Sequence, residues 1–204
     1  MKIICIGQNY MDHIRELGSE VPTQPVFFMK PDTSLVTRRH VFYYPEFSKE
    51  IHYEAELVLK ICKVGRHIQK KFAHTYYDEI GIGIDFTARD LQKECKKKGL
   101  PWEICKSFDS AAPVSQKFIP VSEFENTGNI NFSLNLNGEI RQNGNSSDMI
   151  FNFDEIISFV SQFITLKMGD LIFTGTPVGV GEVKIGDKLE AFIEGKKMLS
   201  VMIK

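Results

Sequence analysis

Two apolar runs in the first half of this chain carry carboxylates where a folded core would ordinarily exclude them. The first is Ile51-His-Tyr-Glu-Ala-Glu-Leu-Val-Leu-Lys-Ile61. The second, Ile80-Gly-Ile-Gly-Ile84, runs directly into Asp85. Both read as strands. Side chains two apart in a strand leave the same face, so Glu54 and Glu56 project together. Two carboxylates on one face repel each other unless positive charge lies between them, and Asp85 could add a third. Three carboxylates without a His or Cys cluster suit a hard divalent ion such as Mg²⁺ or Mn²⁺. Taken alone, the Glu-x-Glu pair fits a solvated face of a half-exposed sheet at least as readily.

The chain's 204 residues suffice for one domain with a real core, and a single catalytic domain over 1–204 is expected. At 43% hydrophobic and 25% charged, its composition is that of an ordinary globular protein. The formal net charge is −1, and the longest basic cluster is Lys96-Lys97-Lys98, which reads as a solvated helix end, so no nucleic-acid partner is expected. The apolar run near the N-terminus is too short for a signal peptide, and no run approaches a membrane span of about 20 residues. A soluble, cytoplasmic protein with no membrane partner is the expectation. The cysteines at 5, 62, 95 and 105 show no Cys-x-x-Cys spacing and read as free thiols.

Strands are expected at 2–6, 26–29, 51–61, 80–86, 129–136, 139–142, 171–174, 188–193 and 198–203. Residues 129–136 alternate apolar and polar, and Asn137-Gly138 is a strong two-residue hairpin signal. Helices are expected at 12–17, ended by Gly18 to Pro22, at 68–77, at 87–98 with Thr87 and Asp90 as an approximate capping box, and at 153–163. Strands outnumber helices, so the fold class expected is mainly β with a few short helices, of the α+β kind, on a mixed sheet.

Four further groups could carry chemistry. His13 and Glu16 are three apart on one helical face, where a carboxylate orients an imidazole as a general base; a surface pair has the same spacing. Arg89 and Gln92 follow Asp85 and could hydrogen-bond an anion, or could simply hold their helix. Lys106 lies among the aromatics Trp102 and Phe108 and could place positive charge against a carboxylate or enolate, although an ordinary surface lysine fits the sequence too. Thr174-Gly-Thr-Pro-Val-Gly-Val-Gly181 permits close backbone approach to a ligand, but it lacks the pattern of a phosphate or dinucleotide loop.

The joint order of these segments resembles the fumarylacetoacetate hydrolase superfamily from end to end. The resemblance is carried by Gly7-Gln-Asn-Tyr-Met-Asp-His13, Phe28-Met-Lys-Pro31, His52-Tyr-Glu-Ala-Glu56, Asp85-Phe-Thr-Ala-Arg-Asp-Leu-Gln92, Lys106-Ser-Phe-Asp109, Asn137-Gly-Glu139 and Thr174 to Gly181. Glu94-Cys-Lys-Lys-Lys-Gly-Leu-Pro-Trp102 and the compact length are most similar to the acylpyruvase and oxaloacetate decarboxylase branch. The resemblance implies a mixed β-roll of the family's C-terminal domain type, as a homodimer. It implies Mg²⁺ or Mn²⁺ on Glu54, Glu56 and Asp85, and a small α-keto acid substrate completing the coordination. It implies that Lys106 stabilises an enolate and that His13 and Glu16 activate water from a lid helix. Gln92 and Thr176 would hydrogen-bond the substrate, and Arg89 would bind its carboxylate or support the pocket.

The activity so implied is cleavage of a C–C bond in an α-keto acid, by acylpyruvate hydrolysis or oxaloacetate decarboxylation. An isomerase or decarboxylase acting on 2-hydroxyhepta-2,4-diene-1,7-dioate-type diacids is the alternative within the family. A non-catalytic protein binding metal and a small acid is the alternative outside it. One departure stands out: Gln8 occupies a position where many relatives carry Arg, which removes a fixed cation and bears on substrate length and charge.

Overall fold

The run from 51 to 61 does not form the single strand its sequence predicts. The computed structural model of the protein describes residues 1–16, 18, 20–36 and 41–204. In it the run is two strands, Ile51–Tyr53 and Ala55–Ile61, parted at Glu54. The break exists because the halves serve different sheets. Ile51–Tyr53 pairs with Thr87–Ala88 and Gly181–Glu182 in a three-stranded sheet. Ala55–Ile61 lies inside a six-stranded sheet between Tyr77–Ile84 and Leu171–Phe173. At the junction the Glu54 carbonyl accepts the Asp85 N–H at 2.8 Å, tying the two carboxylate-bearing segments together.

The six-stranded sheet runs in the order Ile119–Pro120, Tyr77–Ile84, Ala55–Ile61, Leu171–Phe173, Ile3–Gly7, Val26–Lys30. Its pairs are antiparallel except Ile3–Gly7 with Leu171–Phe173. A five-stranded sheet runs Glu139–Asn145, Asn131–Leu136, Lys188–Ile193, Lys196–Ile203, Val41–Phe42. One apolar core joins them: Leu57, Leu59, Ile80, Ile82 and Ile84 share it with Phe132, Leu134, Leu189 and Val201. The fold is mixed β with short helices, as the sequence predicts.

The helices are α1 (Met11–Glu16), α2 (Lys70–Ala73), α3 (Arg89–Lys98), α4 (Glu103–Lys106) and α5 (Phe153–Phe163). Leu17, the expected end of the first helix, and Ser19 beyond it lie outside the described residues. The helix expected at 68–77 shrinks to α2. Tyr77 to Glu79 instead begin the long strand, where pairing with Lys60 and Ile61 overrides local helical spacing. Thr87 does not cap α3. It pairs in the small sheet, and Asp90 accepts from Ser48 Oγ at 2.7 Å and Lys49 N at 2.9 Å. One expectation holds in detail: Asn137 and Gly138 both take positive φ between partners Leu136 and Glu139. The capping box lies elsewhere than expected, on α5, where Asn152 and Glu155 cap each other reciprocally. All four cysteines are free thiols.

The glycines of Tyr77–Ile84 set how closely the outer face packs. A Cβ at Gly83 would lie 2.5 Å from the Phe173 ring, and one at Gly81 would lie 2.7 Å from Phe118. The isoleucines between them fill the opposite face. Gly83→Ala should therefore destabilise the protein by about 1–3 kcal/mol through overpacking. Urea unfolding followed by circular dichroism measures it; an unchanged midpoint would mean that Phe173 repacks freely.

Candidate functional site

The sheet change at Glu54 gathers three acids at one point. Glu54 sits at the junction, Glu56 faces Gly83 across the central strand pair, and Asp85 ends the neighbouring strand. All three are buried, and each offers an oxygen within 4.8 Å of the others. Burying such a cluster without positive charge would be prohibitive.

Three cations answer it. Lys106, delivered by α4, places Nζ 2.8 Å from Glu54 Oε2, 2.7 Å from Asp85 Oδ2 and 2.6 Å from Thr87 Oγ1. Arg89 donates to Glu54 Oε1 at 2.5 Å and to Gln92 Oε1 at 2.6 Å. Lys30 is fully buried, with Nζ 2.8 Å from Asp85 Oδ1 and a hydrogen bond to the carbonyl of Lys106. The lysine that ends Val26–Lys30 thus braces both an acid and the backbone of the lysine beside it. Sequence reasoning passed over it, although a lysine closing an apolar strand ahead of proline is an available signal.

The charges are unevenly shared. Burial opposes ionisation of Glu54, but Lys106 and then Arg89 and His13 outweigh it and hold the carboxyl well below its usual range. Burial works against the Lys106 ammonium too, and Asp85 and Glu54 overcome it, so Lys106 holds its proton more tightly than a free lysine. Among the described residues Glu56 has no cation within ion-pair distance. Burial, then Asp85 and Glu54, push its carboxyl well above the ordinary value, against a 2.7 Å hydrogen bond from Gly175 N. Asp85 Oδ1 has Lys30 nearby yet no well-directed hydrogen bond. An under-satisfied buried oxygen beside a carboxyl kept protonated by its neighbours is what one divalent ion would complete, so these residues fit Mg²⁺ or Mn²⁺.

The remaining candidates converge on the same cleft. His13, Gln92, Lys106 and Thr176 line it with the three acids. His13 Nδ1 lies 3.0 Å from Glu16 Oε2, and Glu16 Oε1 accepts from Gly179 N at 3.1 Å. A carboxylate can only accept, so Nδ1 donates and Nε2 is left as the basic nitrogen. Buried Asn9 anchors the start of α1, donating to Phe151 O at 3.0 Å and Thr174 O at 2.8 Å. Gln142, also unanticipated from sequence, accepts from Ala55 N at 2.9 Å and donates to Thr176 Oγ1 at 2.8 Å and Pro177 O at 3.0 Å. Because Oγ1 accepts there, the Thr176 hydroxyl proton is available to a ligand. Gln92 accepts from Arg89, which likewise leaves its NH₂ free. Of the two roles expected for Arg89, its bonds to Glu54, Gln92 and, at 3.4 Å, His52 are those of pocket support. It positions groups at the cleft.

Comparison with known proteins agrees with this geometry. Residues 2–203 match the fumarylacetoacetate (FAA) hydrolase C-terminal family. The chain is 44% identical over 193 residues to oxaloacetate tautomerase FAHD1, mitochondrial, of Bos taurus, covering 95% of this chain and 87% of that protein. It is 41% identical over 200 residues to oxaloacetate tautomerase YcgM of Escherichia coli K12, covering 97% and 90%. The crystal structure of fumarylpyruvate hydrolase from Pseudomonas aeruginosa, in complex with Mn²⁺ and pyruvate, superposes with a TM-score of 0.93 at 36% identity, over 100% of this chain and 89% of that one.

The raised affinity of Glu56 for its proton has a measurable sign. The folded metal-free protein binds that proton more tightly than the unfolded chain, whose value lies near 4.5. The resulting stabilisation is fully present below that value and is lost as pH rises through the higher folded one. In chelator, the Glu56 contribution should therefore decline upward from the ordinary glutamate range. Glu56→Gln, which stays neutral, should remove that slope in a urea-midpoint series against pH. The same slope in both proteins would mean that another group is responsible.

Proposed function

Because this chain belongs to the fumarylacetoacetate hydrolase family, we propose that it is a divalent-metal-dependent enzyme of enolate chemistry on small α-keto acids, with keto–enol interconversion of oxaloacetate as its principal reaction. The observation that carries this reading is the Lys106 ammonium, held between Glu54 and Asp85 inside the cleft. The names of the bovine and bacterial relatives support the choice of substrate. The Mn²⁺ and pyruvate bound by the Pseudomonas enzyme support the metal and the α-keto acid head.

An ion on Glu54, Glu56 and Asp85 supplies Lewis-acid polarisation of the keto acid. The chain's own groups do the rest. Gln92 and Thr176 donate hydrogen bonds to the substrate head and orient it. His13 Nε2 removes a proton from the carbon next to the keto group, and the electron pair moves to the keto oxygen. Glu16 stabilises the imidazolium that forms. Lys106, held charged between Glu54 and Asp85, stabilises the negative charge on that oxygen, donating to it in place of one of its present partners. Returning a proton to oxygen gives the enol, and returning it to carbon restores the ketone.

Cleavage of an acylpyruvate is the second reading, and the His13–Glu16 pair favours it. There His13 takes its proton from water, the water oxygen bonds to the distal carbonyl carbon, and the C–C bond breaks to leave a carboxylic acid and the enolate of pyruvate. Decarboxylation reaches that enolate with no base. The experiment is to follow enol oxaloacetate and acetylpyruvate side by side, with Mg²⁺, with Mn²⁺ and with chelator. Metal-dependent loss of the enol that drops about 10²–10³-fold in Lys106→Met is expected. Metal-dependent conversion of acetylpyruvate alone would shift the assignment to hydrolysis, and an undiminished rate in Lys106→Met would overturn the role of the ammonium.

A further inference from the structure

Helix α3 directs a stripe of three residues at the cleft: Arg89, Gln92 and Lys96, spaced i, i+3 and i+7. The first two are accounted for above. Lys96 differs from every other cation at the site. Lys30, Lys106 and Arg89 each hold a carboxylate at 2.5–2.8 Å. Among the described residues Lys96 has no carboxylate within ion-pair distance, and its contact is with the face of Trp102, 5.6 Å from the ring centroid. The residue is exposed and lines the cleft. Partial burial, then repulsion from Arg89, lowers its hold on a proton, so an anion brought beside it would be welcome.

The charge inventory points the same way. Three acids face three engaged cations, so a bound divalent ion and Lys96 leave surplus positive charge. A dianion matches that surplus better than a monoanion. Gln92 is the middle residue of the stripe, and Lys96 lies four residues farther along the helix, a rise of about 6 Å. That step suits a second carboxylate close behind an α-keto acid head. Gln8, which also lines the cleft, is uncharged and leaves this task to Lys96.

We propose that Lys96 is a specificity residue: it receives the distal carboxylate of the substrate and selects a four-carbon 2-oxo dicarboxylate over its monocarboxylate counterpart. This rests on the reading of the cleft as an α-keto acid site. Trp102, the chain's single tryptophan, lines the same cleft and serves as a reporter that needs no turnover.

The test is a stopped-flow titration of Trp102 fluorescence in the full, Mg²⁺-loaded chain. The ligands are oxaloacetate and 2-oxobutanoate, which has a methyl group in place of the distal carboxylate. Wild type should bind the diacid about tenfold or more tightly than the monoacid, a difference of about 1.4 kcal/mol. Lys96→Met should abolish that preference by weakening the diacid alone, and Lys96→Arg should keep most of it. An unchanged diacid affinity in Lys96→Met, or equal weakening of both acids, would overturn the proposal. A Lys96-dependent preference without enol turnover would leave Lys96 in place and overturn the enzymatic reading. Turnover with no preference would do the reverse.

Discussion

The interior of this protein contains three acids that cannot stay ionised there unaided, and most of its architecture can be read as the means of tolerating them. The desolvation of a buried carboxylate exceeds what packing supplies at any single position. Lys106, Arg89 and Lys30 come from three separate elements to meet Glu54 and Asp85, and each is fixed by further bonds to backbone or side chain. Among the described residues, Glu56 is the one acid of the three that no cation pairs with. The arrangement is balanced for two of its acids and frustrated at the third, and that frustration is what a divalent ion relieves.

The comparisons narrow the chemistry without choosing among its outcomes. Relatives bear the names of a tautomerase and a hydrolase, and a solved structure of similar fold, at 31% identity, is a 2-hydroxyhepta-2,4-diene-1,7-dioate isomerase. These reactions share an enolate and differ in which bond to carbon breaks or forms beside it. A charged floor that stabilises the shared intermediate serves all of them.

Much of this was legible from the residues. Glu54, Glu56 and Asp85 were visible because carboxylates in strand-like runs are conspicuous, and the hairpin at Asn137 and the helix at 153–163 follow local rules that tertiary contacts left alone. The break at Glu54 was not legible, since nothing local forbids a strand of eleven residues; it follows from which sheets the two halves join. The helix expected at 68–77 failed for the same reason, pairing with Lys60 and Ile61 outweighing periodicity. Lys30 and Gln142 escaped because their roles exist only across long separations. Gln142 is 87 residues from the backbone amide it accepts and 34 from the hydroxyl it orients.

The three clustered acids fall within a stretch of the chain running from 54 to 85, whereas Glu16 is fastened to Gly179, 163 residues away. Helix α1 has only six residues, too few to be stable by itself. The orientation of the His13 imidazole, set by Glu16, therefore depends on a loop from the far end of the chain, and a change at that loop would reach the imidazole without touching it.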